Sequence, residues 1–276
     1  MATIGIFDSG LGGLSVWHEI DRLLSGDDLL YLADQAHCPY GHRSADEIRC
    51  FSASIAAFLI EQGAQAVVVA CNTASAAALH HLRQRFDVPI VGMEPAVKPA
   101  AMRTKTGQIG VIATQVTFQG ALFASLIERF AQNVTVHTQV CPGLVECVEA
   151  GQLDTVETDR LLQKYLRPLL DAGIDTLVLG CTHYPFLRPA IERIVGAQVR
   201  IIDPAPAVAR QTAHVLHRTD VFDRTIDKPV TCSGQRRFFT SGNPAILAQG
   251  LETLIGKQGE IVPAQWVDQR IHINED

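Results

Sequence analysis

Two stretches of this chain, more than a hundred residues apart, follow one pattern of apolar run, cysteine and polar pair. In each stretch the cysteine, Cys71 or Cys181, comes eight residues after a glycine and directly after a strand-like run. An acidic residue followed by Pro-Ala closes each stretch, at Glu94 and Asp203. The pattern indicates an internal duplication, and its length excludes a short-repeat solenoid. We therefore expect two similar halves whose strands end at equivalent places.

Short β-branched runs alternate with longer helical patterns along the chain. The strand candidates lie at 3–7, 28–33, 66–70, 89–93, 108–113, 134–139, 176–180 and 198–203. The clearest helical pattern spans 44–63, where Ser44 provides an N-cap and Glu47 follows three residues later. Strands that are apolar throughout and separated by helices indicate parallel sheets covered on both faces. The predicted fold class is therefore α/β, of the doubly wound type.

The duplication also predicts how the chain divides into domains. A weaker match between 4–10 and 109–115 extends the repeat to the first strand of each half. We expect two similar parallel-sheet α/β domains related by an approximate two-fold axis, with the active site in the cleft between them. The first domain comprises 1–96 plus 207–276, and the second comprises 97–206.

The two cysteines lie where parallel sheets bind their ligands, beyond the carboxyl ends of strands. A thiol at a helix N-terminus has its thiolate favoured by the helix dipole and by free N–H groups. Free cysteines are often only small buried apolar residues, but equivalent places in a repeat favour a functional role for Cys71 and Cys181. Two thiols facing each other across a cleft suit removal of a proton from one face of a carbon and its return to the other.

Charge and hydropathy exclude several classes of partner. The formal net charge is −6 and no dense run of basic residues occurs, which argues against a nucleic-acid partner. We interpret the pair Arg236–Arg237 as a solvated turn. No apolar run reaches the roughly 20 residues that span a bilayer, so no membrane partner is expected. The N-terminus lacks the basic region and cleavage site of a signal peptide, so we expect a cytoplasmic protein.

No cofactor or metal is expected from the remaining motifs. The chain contains seven cysteines, an odd number, and no C-x-x-C pair, which argues against a disulfide framework and a zinc site. Lys98 lacks the phosphate-binding loop that a pyridoxal-phosphate enzyme needs. The "GLGG" turn has Ser15 where a dinucleotide fingerprint has its third glycine. We interpret it as a tight turn that presents backbone N–H groups to a carboxylate.

Four motifs carry a family resemblance. They are "IFDSGLGGLSV" (6–16), "CPYG" (38–41), "ACNTAS" (70–75) and "GCTHYP" (180–185). In order and spacing they resemble the glutamate racemases, the cofactor-independent members of the aspartate/glutamate racemase superfamily. The resemblance implies interconversion of L- and D-glutamate by two cysteines, a supply of D-glutamate for peptidoglycan and hence for cell-wall biogenesis and cell shape, and a homodimer.

The resemblance also implies roles for individual residues. The catalytic pair is Cys71, which acts on the D-enantiomer, and Cys181, which acts on the L-enantiomer. The implied substrate contacts are Asp8, Ser9, Tyr40, Gly41, Asn72, Thr73, Thr182 and His183. The implied supporting acid/base residues are Asp34 and Glu149, with Glu146 as a competing acid in the same segment.

The chemistry of these side chains is compatible with such roles. Asp8 ends a strand beside a glycine-rich turn, where it could hold a substrate ammonium, orient a thiol or simply cap the next helix. The hydroxyl and amide groups among the contacts are neutral donors suited to carboxylate oxygens, although turn and N-cap bonding is an alternative. His183 adjoins Cys181 and could raise its thiolate fraction or carry its proton.

Two other functions stay open at this level. One is another member of the superfamily: an aspartate racemase, a hydantoin racemase or a thiol-dependent isomerase. The other, from a different class, is a two-domain amino-acid binding protein in which the cysteines are incidental. Exchange of the α-proton with solvent separates an enzyme from a binding protein, and an assay with both amino acids separates the enzymes.

Overall fold

The computed structural model describes residues 1–218 and 234–273 of the chain. Of the seven cysteines, Cys232 lies outside the described residues. The strands are β1 (Thr3–Asp8), β2 (Asp28–Ala33), β3 (Ala66–Val69), β4 (Ile90–Gly92), β5 (Gln108–Ala113), β6 (Thr135–Val140), β7 (Thr176–Gly180), β8 (Arg200–Ile202), β9 (Arg236–Thr240), β10 (Glu260–Val267) and β11 (Arg270–Ile273). The predicted strands are all present, each within a few residues of its expected bounds.

Helices connect these strands. The α-helices are α1 (Leu14–Leu23), α2 (Ala45–Glu61), α3 (Asn72–Arg85), α4 (Val97–Arg103), α5 (Gln115–Gln119), α6 (Ala121–Phe130), α7 (Leu144–Glu149), α8 (Val156–Asp171), α9 (Arg188–Val195), α10 (Ala205–Arg218) and α11 (Pro244–Ile255). Short 3₁₀ helices lie at Tyr40–His42 and Tyr184–Leu187. Helix α2 begins with the predicted capping box, in which Ser44 accepts from the Glu47 N–H and Glu47 accepts from the Ser44 N–H. Among the described residues no helix is both long and apolar enough to cross a membrane.

The strands form two sheets with a shared internal order. One sheet runs β11-β10-β9-β2-β1-β3-β4 and the other runs β6-β5-β7-β8. All neighbours are parallel except β10 and β11. The order β2-β1-β3-β4 thus recurs as β6-β5-β7-β8, and the predicted α/β class is confirmed. The domain boundaries themselves stay a prediction.

The pairing register supports the sequence repeat. Phe7 of β1 lies beside Val69 of β3, and Ile112 of β5 lies beside Leu179 of β7. The first repeat cysteine follows Val69 by two residues, and the second follows Leu179 by two. Each cysteine therefore lies at the carboxyl-terminal edge of its own sheet, two residues beyond an equivalent strand pair.

Neighbouring residues of one strand show that both faces of the larger sheet are covered. Phe238 is buried against Trp17, with ring centroids 5.1 Å apart. The next residue, Phe239, is buried in a second cluster against Phe58, at 5.2 Å. Because successive strand residues point to opposite faces, these contacts place a core on each side. Such two-sided burial is what the apolar strand runs predicted.

The prediction of a solvated turn at Arg236–Arg237 is wrong. These residues begin β9, and the Arg236 guanidinium donates to the Asp21 carboxylate at 2.7 Å and to backbone carbonyls of Ser25 and Asp27 at 2.7 and 2.8 Å. With these partners the guanidinium can lie half-buried at a strand end. The edge pair β10–β11 was also not predicted.

Candidate active site

The two repeat cysteines are buried at the carboxyl ends of β3 and β7, and neither forms a disulfide among the described residues. Cys71 is the N-cap of α3, and its sulfur accepts the Ala74 N–H at 3.4 Å. Cys181 is followed by a turn and the 3₁₀ helix that starts at Tyr184, so it does not begin an α-helix. The helix-dipole argument therefore applies to Cys71 but was wrong for Cys181.

Burial dominates the ionisation of Cys71. It raises the pKa of the thiol and the charge of Asp8 raises it further, while the Ala74 N–H acts in the opposite direction. A charge on Cys181 also raises the pKa of Cys71. A thiolate on Cys181 would therefore oppose ionisation of Cys71, which disfavours two thiolates at once.

A chain of hydrogen bonds runs from Cys181 across to the first half. Its sulfur lies 3.6 Å from Nδ1 of His183, and Nε2 of His183 lies 2.6 Å from Oε1 of Glu149. The same carboxylate oxygen accepts the Leu11 N–H at 2.6 Å. The "GLGG" turn was predicted to present backbone N–H groups to a carboxylate. One of these groups, the Leu11 N–H, binds the carboxylate of Glu149 in the protein itself.

His183 is buried and forms an ion pair with the partly buried Glu149. Burial alone lowers the pKa of His183, but its hydrogen bonds to Cys181 and Glu149 raise it well above the ordinary value. Burial raises the pKa of Glu149, but the hydrogen bond and charge of His183 outweigh this and lower it overall. The protonated form of His183 is therefore favoured beside the Cys181 sulfur. Glu146, the competing acid, is instead half-exposed, with Oε1 3.4 Å from Nε2 of His42.

Asp8 joins the two halves beside the thiols. Its carboxylate is fully buried; Oδ1 accepts the Gly10 N–H at 2.8 Å and Oδ2 accepts the Thr182 hydroxyl at 3.0 Å. Burial raises the pKa of Asp8, and the charge of His183 opposes the shift. The Asp8 side chain is therefore oriented by both halves. It does not cap α1, whose N-cap is Gly13 without a side-chain hydrogen bond.

The polar residues after Cys71 have different partners. The Asn72 side chain is buried, and neither of its amide atoms has a hydrogen-bond partner in the described part of the chain. The Thr73 hydroxyl lies 2.9 Å from that of Thr114, at the end of β5. Sequence reasoning missed Thr114, although the weak match of 4–10 with 109–115 places it at the position of Ser9. An unpartnered buried amide is costly unless a ligand or water supplies its hydrogen bonds, so both amide atoms of Asn72 remain available for such bonds.

The remaining predicted residues lie around the same edge. Tyr40 is buried and donates from its hydroxyl to Oδ2 of Asp34 at 2.7 Å. Gly41 packs against Thr114, where an added Cβ would meet two side-chain atoms at 3.4 Å. Burial raises the pKa of the neighbouring Cys38 thiol, and the Ser9 hydroxyl opposes that shift.

One group of side chains has the composition of a metal site. The ligand atoms of Cys38, Glu149 and His183 all lie within 4.8 Å of one another, and this combination of sulfur, oxygen and nitrogen donors suits zinc. His183 and Glu149 already bind each other, so a metal would have to replace their ion pair.

Lys98 is exposed and lies over the ring of Phe130, with Nζ 5.3 Å from the centroid.

Comparisons with known proteins agree with these observations. A sequence model of the family described as Asp/Glu/Hydantoin racemase matches residues 4–212. The glutamate racemase of Roseiflexus sp. (strain RS-1) is 52% identical over 254 residues, covering 91% of each chain. The crystal structure of glutamate racemase isoform RacE1 from Bacillus anthracis superimposes with a TM-score of 0.86 at 34% identity, covering 98% of each chain. The Escherichia coli glutamate racemase in complex with L-glutamate and the activator UDP-MurNAc-ala gives a TM-score of 0.81 at 31% identity, covering 99% of each chain.

The family match and the identity to Roseiflexus cover most of the chain, and the structural likeness extends over both sheets. The motifs predicted this relationship, and the matches confirm it. The chain therefore belongs to the Asp/Glu/hydantoin racemase family and, within it, to the glutamate racemases, which are isomerases of amino acids.

Proposed function

We propose that this racemase interconverts L- and D-glutamate with Cys71 and Cys181 as opposed acid and base. The observation that carries the proposal is the equivalent placement of the two buried thiols at the ends of β3 and β7. Burial is the main cause of the raised pKa of Cys71, and a charge on Cys181 adds to it. This disfavours two thiolates at once and so supports a two-base inversion, which needs one thiolate and one thiol at a time.

Proton transfer is balanced in each direction. With D-glutamate, the Cys71 thiolate takes the α-proton while the Cys181 thiol gives its proton to the opposite face of the α-carbon. With L-glutamate, the roles exchange. A buried thiolate is a stronger base than one in water, since burial raises the pKa of its thiol. The same burial that disfavours ionisation of Cys71 therefore helps it to remove a weakly acidic proton.

Supporting residues surround the two sulfurs. The His183–Glu149 ion pair places a cation beside Cys181, and we propose Glu149 as the supporting acid in preference to Glu146. Neutral donors suit the two substrate carboxylates, and Asp8 suits the ammonium group. The proposed substrate contacts are Asp8, Ser9, Tyr40, Gly41, Asn72, Thr73, Thr182 and His183.

Glutamate is the proposed substrate in preference to aspartate. A glutamate racemase 52% identical to this chain supports this choice. The E. coli relative was solved with L-glutamate bound. Membership of a racemase family favours an enzyme over an amino-acid binding protein.

We extend the proposal to the cellular role that the motif resemblance implies. The D-glutamate produced supplies peptidoglycan synthesis in the cytoplasm, and through it cell-wall biogenesis and cell shape. We also propose a homodimer that requires neither nucleic acid nor membrane. Light scattering coupled to gel filtration measures the assembly, and a mass near 30.0 kDa would contradict the dimer.

The function is tested with the purified protein, first dialysed against a chelator and a carbonyl reagent. Incubation with L-glutamate in deuterated water should abolish the circular dichroism signal and place deuterium at the α-carbon. The same incubation with L-aspartate should leave its signal almost unchanged. Activity that vanishes on dialysis and returns with a metal or pyridoxal phosphate would overturn the cofactor-free mechanism. Faster racemisation of L-aspartate than of L-glutamate would overturn the assignment of glutamate as the substrate.

A further inference from the structure

We propose that the C-terminal strands hold the substrate loop in place, with Trp266 and Ser241 acting through Asp34 on Tyr40. Asp34 is then a positioning residue and not a proton carrier. The inference rests on the proposed function, because it takes Tyr40 as a contact of the substrate. It assigns a role in the reaction to a part of the chain that follows the family-matched residues 4–212.

The carboxylate of Asp34 is fully buried and receives four donors. Oδ1 accepts the Ser241 hydroxyl at 2.6 Å and the Trp266 indole N–H at 2.8 Å. Oδ2 accepts the Tyr40 hydroxyl at 2.7 Å and lies 2.9 Å from Nδ1 of His37. None of these partners is a thiol or another acid.

Four donors fill the acceptor capacity of a carboxylate. An ionised Asp offers two oxygens with about four lone-pair sites in total, and each oxygen of Asp34 has two donors. A proton taken up by this group would have to displace one of them. The arrangement therefore fits a fixed acceptor that orients its donors, including the Tyr40 phenol.

The donors come from parts of the chain that are remote in sequence. Asp34 directly follows β2, which pairs with β9, and Ser241 directly follows β9. The Ser241 N–H donates to Ala33 at 3.1 Å, and the Ala36 N–H donates to the Ser241 hydroxyl at 3.0 Å. Trp266 lies on β10, the neighbour of β9. The parallel pairing of β2, β9 and β10 thus brings the C-terminal segment onto the loop that carries Tyr40.

An aromatic cluster fixes the direction of the indole N–H. The ring of Trp266 meets His37 edge-on at 5.0 Å and Phe51 edge-on at 5.6 Å. His37 in turn stacks on Phe51, with ring centroids 3.9 Å apart. Rings held on two sides lose rotamer freedom, so the Trp266 N–H is held toward Asp34 before substrate arrives.

Substitutions that remove one donor but keep packing test the proposal. Trp266→Phe and Ser241→Ala should each raise the KM for glutamate about fivefold, the worth of one hydrogen bond, with kcat changed less. In a Tyr40→Phe background neither substitution should raise the KM further, because their effect passes through the phenol. Ile271→Ala is the control: Ile271 is buried on β11 directly opposite Trp266 and donates nothing to Asp34. It should lower the melting temperature and leave the KM within about twofold.

The pH profile separates a positioning role from proton transfer. Asp34→Asn keeps the shape of the side chain, and we expect a raised KM with both limbs of the kcat profile retained. Loss of a limb in this variant would overturn the proposal, as would an unchanged KM in Trp266→Phe. Equal effects of Trp266→Phe in the presence and absence of the Tyr40 hydroxyl would overturn it too.

A readout without turnover keeps this inference separate from the proposed function. The chain has four tyrosines, so the ring signal of Tyr40 in ¹³C-tyrosine-labelled protein is assigned by its loss in Tyr40→Phe. That signal should shift in Trp266→Phe and stay in place in Ile271→Ala. If the wild type fails to racemise glutamate, the proposed function fails, and the NMR shift still decides whether Trp266 acts on Tyr40. An unmoved Tyr40 signal overturns the positioning role whatever the activity.

Discussion

The Thr182 hydroxyl donates to Oδ2 of Asp8 at 3.0 Å and so joins the end of β7 to the end of β1. Thr182→Val removes this donor and leaves a buried carboxylate oxygen without it. We expect a loss of about 1–3 kcal/mol in the free energy of unfolding, measured by urea denaturation. Thr253→Val, at an exposed helix position, should change it by less than about 0.5 kcal/mol. Equal losses in the two variants would contradict a structural bond between the halves.

Asp8 should make the protein less stable as the pH rises. Burial raises the pKa of Asp8 above its unfolded value, which is about 3.9. A carboxyl with a raised folded pKa costs no stability below the unfolded pKa, and the full cost is present above the folded pKa. The free energy of unfolding of Asp8→Asn should therefore rise relative to that of the wild type as the pH increases from 4 to 7, roughly the interval above the unfolded pKa.

The measurement for Asp8 is a set of denaturation curves across that interval. Asp87→Asn, at an exposed position, is the matched control and should change the free energy of unfolding by less than about 0.5 kcal/mol. Asp8→Asn should also lose most racemase activity, since the proposed contact of the substrate ammonium loses its charge. A stability difference that shrinks with rising pH would show that the carboxylate is stabilised by its neighbours.

The His183–Glu149 ion pair predicts a stability window. The pKa of His183 is raised, so its contribution is complete below the unfolded value and is lost as the pH rises toward the folded one. The pKa of Glu149 is lowered, so its contribution is present above the unfolded value and lost as the pH falls through the folded one. The advantage of the wild type over Glu149→Gln should therefore be greatest between about pH 4.3 and 6.5, the two unfolded values.

Glu146→Gln is the control for this prediction, because Glu146 lies on the same short helix but is half-exposed. It should change the free energy of unfolding by less than about 0.5 kcal/mol at every pH. Activity of Glu149→Gln should fall at least about tenfold, because the imidazole beside Cys181 loses the group that orients it. If Glu146→Gln loses more activity than Glu149→Gln, Glu146 is the supporting acid.

Much of the fold could be predicted because most of its strands coincide with apolar runs in the sequence. β3 is buried along its whole length, and the run that ends at Val69 reads as a strand without any tertiary information. β9 begins with two arginines, and β10 contains Pro263 and lies next to an edge strand. The β10–β11 turn uses positive φ angles at Asp268 and Gln269, where glycine or asparagine is the usual signal. Local patterns did not reveal these elements.

The candidate site was predictable where the repeat marks it and not where distant segments meet. Cys71 and Cys181 follow from their equivalent spacing. The helix start expected at Cys181 was wrong because Pro185 and its neighbours form a 3₁₀ turn first. The bond from Trp266 to Asp34 joins residues 232 positions apart, and no local rule connects them. The choice between Glu146 and Glu149 likewise depends on which side of α7 faces His183.

In the proposed mechanism two thiols act on opposite faces of one carbon. The carbon held between them places the sulfurs roughly 7–8 Å apart, two contact distances of about 3.5–4 Å. Serine is a far weaker acid than cysteine and a poor base at neutral pH. Cys71→Ser and Cys181→Ser should therefore each lose racemisation almost fully, while Cys50→Ser, at an exposed cysteine, should keep it.

In the most direct measurement, each variant is incubated with a glutamate analogue that carries chloride on the β-carbon, and the release of chloride is measured. Removal of the α-proton then forms the double bond between the α- and β-carbons and expels chloride, so one base suffices. Cys71→Ser should release chloride mainly from the L-analogue, through Cys181, and Cys181→Ser mainly from the D-analogue, through Cys71. The same enantiomer preference in both variants, or racemisation of glutamate near the wild-type rate in either, would contradict the opposed-thiol mechanism.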